Sequence, residues 1–80
     1  NSNWNFYYSY GDYNDNTDSK FVIEDCKWCE DNLQPRSWKL VINSSNSLIQ
    51  YEHIGYDSTD MMQLHFVSNE AYIAFKLARL

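Results

Sequence analysis

The chain is predicted to fold as one α+β domain over residues 1–80, with an antiparallel sheet of about four strands covered on one face by two helices. Three observations predict this fold class. Several segments alternate apolar and polar residues, which is typical of strands, and two carry apolar residues three or four positions apart, which is typical of helices. Short loops between the last three strands favour antiparallel neighbours. A chain this short supports only one core, so the expected order is β-α-β-β-β-α.

The first strand and the first helix are predicted from the aromatic start of the chain. Residues 3–10 place four aromatics on one face, and we expect these to point into the core: Trp4, Phe6, Tyr8 and Tyr10. Residues 11–16 are rich in Gly, Asn and Asp and predict a turn. A helix capped by Asp18 or Ser19 follows, and it ends near Leu33 because Pro35 cannot continue it.

The remaining elements follow from the second half of the chain. Three strands are predicted at residues 37–43, 48–54 and 61–67. A polar turn at residues 44–47 and a looser loop at residues 55–60 would join them. Ser68 or Asn69 caps a closing helix so rich in Ala, Ile and Leu that we expect it to be largely buried.

Acidic residues are concentrated in the first part of the chain. Residues 1–32 contain seven acidic and two basic side chains, whereas residues 33–80 contain four of each, for a net charge of −5. This asymmetry argues against a phosphate-binding surface there and favours a basic partner. No apolar run is long enough to span a membrane, and two cysteines do not make a disulfide scaffold, so we expect a cytoplasmic protein.

The two cysteines form a Cys-x-x-Cys motif. Cys26 and Cys29 fall in the middle of the predicted helix among acidic residues, where nothing lowers a thiol pKa, so we interpret both as small buried hydrophobes. A zinc site made with His53 and His65 is an alternative that the spacing does not favour.

A calcium loop is a second alternative involving metal. Oxygen-bearing side chains alternate along one stretch, as they do in EF-hand loops: Asp12, Asn14, Asn16 and Asp18. Thr17 stands where such a loop needs glycine, and Ile23 stands where it needs glutamate. We also find no nucleophile–base–orienter set and no Gly-rich phosphate loop, and therefore expect neither catalysis nor a cofactor.

The expected binding surface combines aromatic anchors with carboxylates. The anchors are Tyr7, Tyr13 and Trp28. The carboxylates, which would steer a basic partner, are Asp12, Asp15, Asp18, Glu24, Asp25, Glu30 and Asp31. Aromatics on a sheet can also stack the bases of single-stranded nucleic acid, but that mode needs a basic groove, so we expect no direct nucleic-acid binding.

Three segments resemble a known group of proteins. These are Trp28-Cys29-Glu30, the strand that begins at Trp38, and the closing Ala74-Phe75-Lys76-Leu77. Together they look like segments of small uncharacterised proteins of tailed bacteriophages, which often end in Phe-Lys-Leu-Arg-aromatic. Here Ala78 intervenes before Arg79, and the last residue is Leu80. The resemblance implies a viral origin and transfers no catalytic residue.

The leading hypothesis is a small acidic interaction module, encoded by a phage, that inhibits or modulates a host protein by binding its basic, nucleic-acid-binding surface. Carboxylates at helical spacing can stand in for phosphates on such a surface. The alternatives are a module that binds calcium or zinc, and a structural or assembly subunit that self-associates. The sequence predicts no oligomeric state.

Overall fold

The structure is a computed structural model that describes residues 4–12, 21–43, 45–47 and 61–80, with residues 12 and 45–47 described by their backbone alone. Its elements are β1 Phe6–Asp12, α1 Val22–Asn32, β2 Trp38–Ile42, β3 Ser45–Ser47, β4 Met61–Phe66 and α2 Asn69–Ala78. The order is β-α-β-β-β-α, and the predicted α+β class is confirmed.

Within the described ranges, four strands form one antiparallel sheet in the order β1-β4-β2-β3, so β4 pairs with a strand on each side. Cross-strand neighbours share a face of the sheet. Two rows of inward side chains therefore cross it: Phe6–Phe66–Trp38 and Tyr8–Leu64–Leu40.

One core lies between the sheet and both helices. Its buried members come from β1, α1, β2, β4 and α2, which places the two helices on the same face: Tyr10, Val22, Cys26, Cys29, Trp38, Leu40, Met62, Leu64, Phe66, Ala71 and Phe75. The predicted inward alternation of β2 and β4 is confirmed at Trp38 and Leu40 and at Met62, Leu64 and Phe66.

β1 differs from its predicted bounds at both ends. It begins at Phe6 instead of residue 3, and it continues through Gly11 and Asp12, where a turn was predicted. The register with β4 shifts between Ser9 and Gly11, so Tyr10 is an extra residue in a bulge. Gly11 has a φ of 71°, a left-handed backbone that glycine adopts without strain. The bulge lets Tyr10 point into the core while the strand continues.

The predicted turn at residues 44–47 is also wrong in part, because Ser45–Ser47 forms strand β3, which pairs with β2 and is the outermost described strand on that side of the sheet. Asn43 makes the reversal with a φ of 52°, and asparagine tolerates that left-handed backbone better than most residues. Its side-chain Oδ1 accepts a hydrogen bond from the Met61 backbone N–H at 2.9 Å, which ties the turn to the start of β4. The strand predicted at residues 48–54 lies outside the described residues.

The helix ends agree with the sequence where they are described. α1 ends at Asn32, and the Leu33 N–H donates to the Cys29 carbonyl at 2.8 Å before Pro35. Ser68 is the N-cap of α2, and its Oγ accepts from the Ala71 N–H at 3.1 Å. The expected caps of α1, residues 18 and 19, lie outside the described residues, and Phe21 occupies the N-cap without a side-chain bond.

The expectation that α2 is largely buried is wrong. Only Ala71 and Phe75 of this helix are buried. Ile73, Leu77 and Leu80 are 46%, 64% and 97% exposed, and their spacing puts them on the side opposite the core. Hydrophobic content predicted burial of the whole helix, but a helix that lies on a single sheet buries only the side that faces it.

Candidate functional site

Two concavities lie between α1 and α2, one at each end of the helix pair, and together they are called the groove. The start of α1 lies beside the end of α2, so the helices are antiparallel. At this end the groove deepens into a cleft of about 360 Å³, lined by Phe21, Glu24, Asp25, Trp28, Phe75, Ala78 and Arg79. The cleft brings together three of the residues predicted to bind a partner, namely Glu24, Asp25 and Trp28.

A largely buried ion pair closes the inner wall of the cleft. The Asp25 carboxylate pairs with the Arg79 guanidinium, and Asp25 Oδ2 also accepts a hydrogen bond from the Tyr10 hydroxyl at 2.5 Å. The three residues come from α1, the C-terminal cap of α2 and β1. Burial raises the pKa of Tyr10, and its hydrogen bond to Asp25 raises it further. Tyr10 therefore stays a neutral donor to the carboxylate.

Arg79 also lies against aromatic rings. Its guanidinium carbon is 4.6 Å from the ring centroid of Tyr8, 5.6 Å from that of Phe75 and 5.8 Å from that of Tyr10. Phe75 packs edge-on against Trp28 with the ring centroids 6.1 Å apart. Cation–π contacts and a carboxylate together hold a guanidinium well. The chain thus binds its own arginine with an acid and aromatic rings.

Carboxylates and one indole alternate along the outer side of α1. Glu24, Trp28 and Asp31 are spaced i, i+4 and i+7, which aligns them on one side of a helix. A second concavity of about 500 Å³ lies at the other end of the groove, and both Asp31 and Glu70 line it. Both ends of the groove therefore carry exposed carboxylates.

The other predicted binding residues lie elsewhere. Glu30 is exposed on a different side of α1 from Trp28. Tyr13, Asp15 and Asp18 lie outside the described residues, as does the side chain of Asp12. Tyr7 is 50% exposed, but it points away from the helices. It lies on the face of the sheet opposite α1 and α2, which is called the open face because neither of the described helices covers it. One flat partner surface cannot contact both Tyr7 and Trp28.

The open face of the sheet carries aromatic and basic side chains. Tyr7 stacks on His65 with the ring centroids 5.2 Å apart, and Lys39 lies beside His65 in the register. Burial lowers the pKa of His65, and the nearby Lys39 lowers it further, against a smaller opposing effect of the Trp4 backbone. Trp4, expected in the core, is instead half-buried under the Lys39 ammonium, 4.4 Å from its ring centroid. It precedes β1, so strand alternation does not set its direction.

Both cysteines are free and buried, which confirms their interpretation as core hydrophobes. Burial raises the pKa of Cys29 to about 12 and that of Cys26 even further above its ordinary value. The proposed zinc set does not converge, because the cysteines lie in the helix-side core and His65 lies on the open face. Its fourth member, His53, is outside the described residues, and so is most of the predicted calcium loop. Within the described ranges, no three His, Cys, Asp or Glu side chains come together.

Sequence reasoning missed Arg79 and Tyr10. Arg79 was not expected in a binding site, and Tyr10 was expected to be an ordinary core residue. An arginine at the C-cap of a helix is a weak signal for a buried partner, and 54 residues separate Arg79 from Asp25. Nothing local in the sequence connects two residues so far apart.

Comparison of the chain with protein-family models, with curated proteins and with solved structures finds no match. No helix in the described ranges combines the length and the apolar content needed to cross a lipid bilayer.

Proposed function

We propose that this chain is a small, non-catalytic, acidic interaction module that binds the basic surface of a host protein. The partner's surface is one that normally holds nucleic acid, and the chain inhibits or modulates it without binding nucleic acid itself. We further propose that the chain is encoded by a phage and acts in the cytoplasm of the host cell, as the resemblance to small tailed-bacteriophage proteins implies.

The observation that carries this proposal is the acidic groove with an aromatic residue in it. Glu24, Asp31 and Glu70 are exposed along the groove, and Trp28 lies between the first two. Exposed carboxylates steer a basic partner by long-range attraction, and a partly buried indole supplies apolar contact area. Glu24 and Asp31 are seven residues apart, about 10 Å along the helix axis, so they can contact separate basic side chains.

The first experiment is a pull-down of the tagged chain from host lysate, with and without nuclease, followed by mass spectrometry. The proposal predicts one retained protein that survives nuclease treatment and elutes with salt, because exposed ion pairs are screened. Recovery of nucleic acid alone, or of no specific protein, would contradict it.

Matched charge variants then test the groove on the captured partner. Glu24→Gln with Asp31→Asn removes two negative charges beside Trp28. Asn5→Lys with Ser9→Lys adds two positive charges at exposed positions of the β1 segment, so both double variants change the net charge of −5 by the same amount. We expect the groove variant to weaken binding about 5-fold and the β1 variant to weaken it much less, since exposed ion pairs contribute about 0.2–1 kcal/mol each. Equal losses would mean that net charge alone attracts the partner.

The exposed apolar stripe of α2 favours a second candidate, a subunit that self-associates. Ile73, Leu77 and Leu80 form an exposed stripe on the side of α2 opposite the core. This candidate predicts a concentration-dependent increase in sedimentation coefficient that Leu77→Lys abolishes. A chain that sediments as a monomer at 100 μM or so would exclude it.

A further inference from the structure

We infer that the cleft between α1 and α2 is a binding site for one arginine side chain of the partner. This inference rests on the proposed function and names the chemical group that the acidic module recognises. The occupant is a guanidinium that stacks on Trp28 and Phe21 and pairs with the Glu24 carboxylate. Lysine, an aromatic side chain and a second copy of this chain are the other occupants that the experiment tests.

The charges that line the cleft leave one carboxylate unmatched. Asp25 and Arg79 neutralise each other in the ion pair of the inner wall. Glu24 is exposed at the mouth and has no hydrogen-bond or ion-pair partner among the described residues. The cleft therefore carries one net negative charge at its opening, where an entering cation would meet it.

The walls of the cleft match a planar cation. Trp28 is half-buried, Phe21 is 50% exposed, and both line the cleft with Phe75 behind them. A guanidinium is planar, weakly hydrated and able to donate two parallel hydrogen bonds to one carboxylate, so it can stack on an indole while it pairs with Glu24. An ammonium is strongly hydrated and offers no flat face. With about 360 Å³ the cleft is at the small end of ligand pockets, which fits a single side chain.

The chain itself shows how this environment holds an arginine. Arg79 pairs with Asp25, and its guanidinium carbon lies 5.6 Å from the ring centroid of Phe75. The rings of Phe75 and Trp28 pack edge-on with their centroids 6.1 Å apart. A partner's guanidinium on the outer side of Trp28 would repeat the same combination of carboxylate and ring, with Glu24 in place of Asp25. The two guanidinium groups would each be paired with their own carboxylate.

The test is an NMR titration of the ¹⁵N-labelled full chain with two blocked tripeptides, Gly-Arg-Gly and Gly-Lys-Gly. The Trp28 indole N–H signal is assigned by comparison with Trp28→Phe. We expect the arginine peptide to shift this signal saturably and to bind at least about 5-fold more tightly than the lysine peptide. Blocked Gly-Phe-Gly should leave the Trp28 signal unmoved, and so should dilution of the free chain, which tests occupation by a second copy.

A pair of isosteric variants separates the cleft from general charge. Glu24→Gln removes the carboxylate at the cleft, whereas Glu30→Gln removes an exposed carboxylate on a different side of α1, outside the groove, and changes the net charge by the same amount. We expect Glu24→Gln to weaken binding of the arginine peptide at least about 3-fold and Glu30→Gln to weaken it less than about 1.5-fold. Both positions are exposed, so neither change should unfold the chain. Equal effects of the two variants, equal binding of the two cationic peptides, or an unmoved Trp28 signal would each overturn the inference.

The two proposals fail differently. A salt-sensitive host partner captured by a chain whose Trp28 does not respond to arginine would overturn the arginine site and leave the acidic module standing. Specific arginine binding by a chain that captures no host protein would overturn the proposed function and leave the site standing.

Discussion

The Tyr10–Asp25–Arg79 cluster should contribute strongly to stability, and removing the charge of Asp25 tests this directly. Asp25→Asn keeps the size of the side chain and deletes the charge that Arg79 needs. Only 13% of the Asp25 side chain and 19% of the Arg79 side chain are exposed, so water can replace little of the lost interaction. The Tyr10 hydroxyl, which donates to the charged Asp25 carboxylate, would then donate to a neutral amide instead.

The magnitude follows from that burial. Removing one partner of a fully buried ion pair costs about 3–5 kcal/mol, because the other charge stays buried without compensation. Partial exposure lowers the cost here, and we expect about 2 kcal/mol for Asp25→Asn and a similar loss for Arg79→Met. Tyr10→Phe removes one hydrogen bond to a charged acceptor and should cost about 1 kcal/mol.

Net charge predicts a different pattern. Asp25→Asn reduces the net charge of −5 in magnitude, and Arg79→Met increases it, so simple self-repulsion would make the first variant more stable and the second less stable. The ion pair predicts that both variants lose stability. The double variant should lose less than the sum of the two, with a coupling energy of at least about 1 kcal/mol.

Urea unfolding of the four proteins of this cycle measures the effect, with Asp31→Asn as the matched control. Asp31 is exposed, so its change to Asn should alter the free energy of unfolding by less than about 0.5 kcal/mol. An Asp25→Asn variant as stable as the wild type, or additive losses in the cycle, would refute the reasoning from the ion pair.

Three further predictions concern the core, the thiols and the open face. Phe75→Leu should lower the free energy of unfolding by about 1–2 kcal/mol, because Phe75 is only 1% exposed and packs among aromatic rings. Leu77→Ala, at a position that is 64% exposed, should change it by less than about 0.5 kcal/mol. Urea unfolding compares the two variants, and equal losses of stability would contradict the observed orientation of α2. Cys26 and Cys29 should react with iodoacetamide at pH 8 at least about 100-fold more slowly in the folded chain than in urea. The reason is that both thiols are buried and that burial raises their pKa values. Rapid labelling of the native protein would show that α1 does not protect them. The pKa of His65 is lower in the folded chain than in the unfolded chain, so the unfolded chain binds the proton more tightly and the free energy of unfolding should fall as the pH drops through about 6.5. His65→Asn should lose that part of the pH dependence. If the wild type and His65→Asn show the same dependence of stability on pH between about 7.5 and 5.5, the prediction is wrong.

Part of the candidate site could be predicted from the sequence, and part could not. Glu24, Trp28 and Asp31 were expected to bind a partner, and helical spacing alone puts them on one side of α1. Tyr7 was expected to join them, yet it lies on the opposite face of the sheet. Sequence shows which residues share a side of one element, but only packing shows which elements share a surface of the domain.

The sequence by itself determined the elements that depend on local period and local chemistry. The alternation of apolar and polar residues identified β2 and β4 and the residues of each that point inward. Pro35 set the C-terminal end of α1, and Ser68 set the N-terminal cap of α2. These features involve residues a few positions apart, so their cause is present in the sequence.

Only the tertiary structure decided the bulge at Tyr10, the pairing of Asp25 with Arg79, and which side of α2 is buried. Each depends on where distant segments meet. The bulge appears only when β1 is registered against β4, and the ion pair forms only because antiparallel helices bring the end of α2 beside the start of α1. The apolar content of α2 was visible in the sequence, but the sheet offers one face, and only one side of a helix can lie against it.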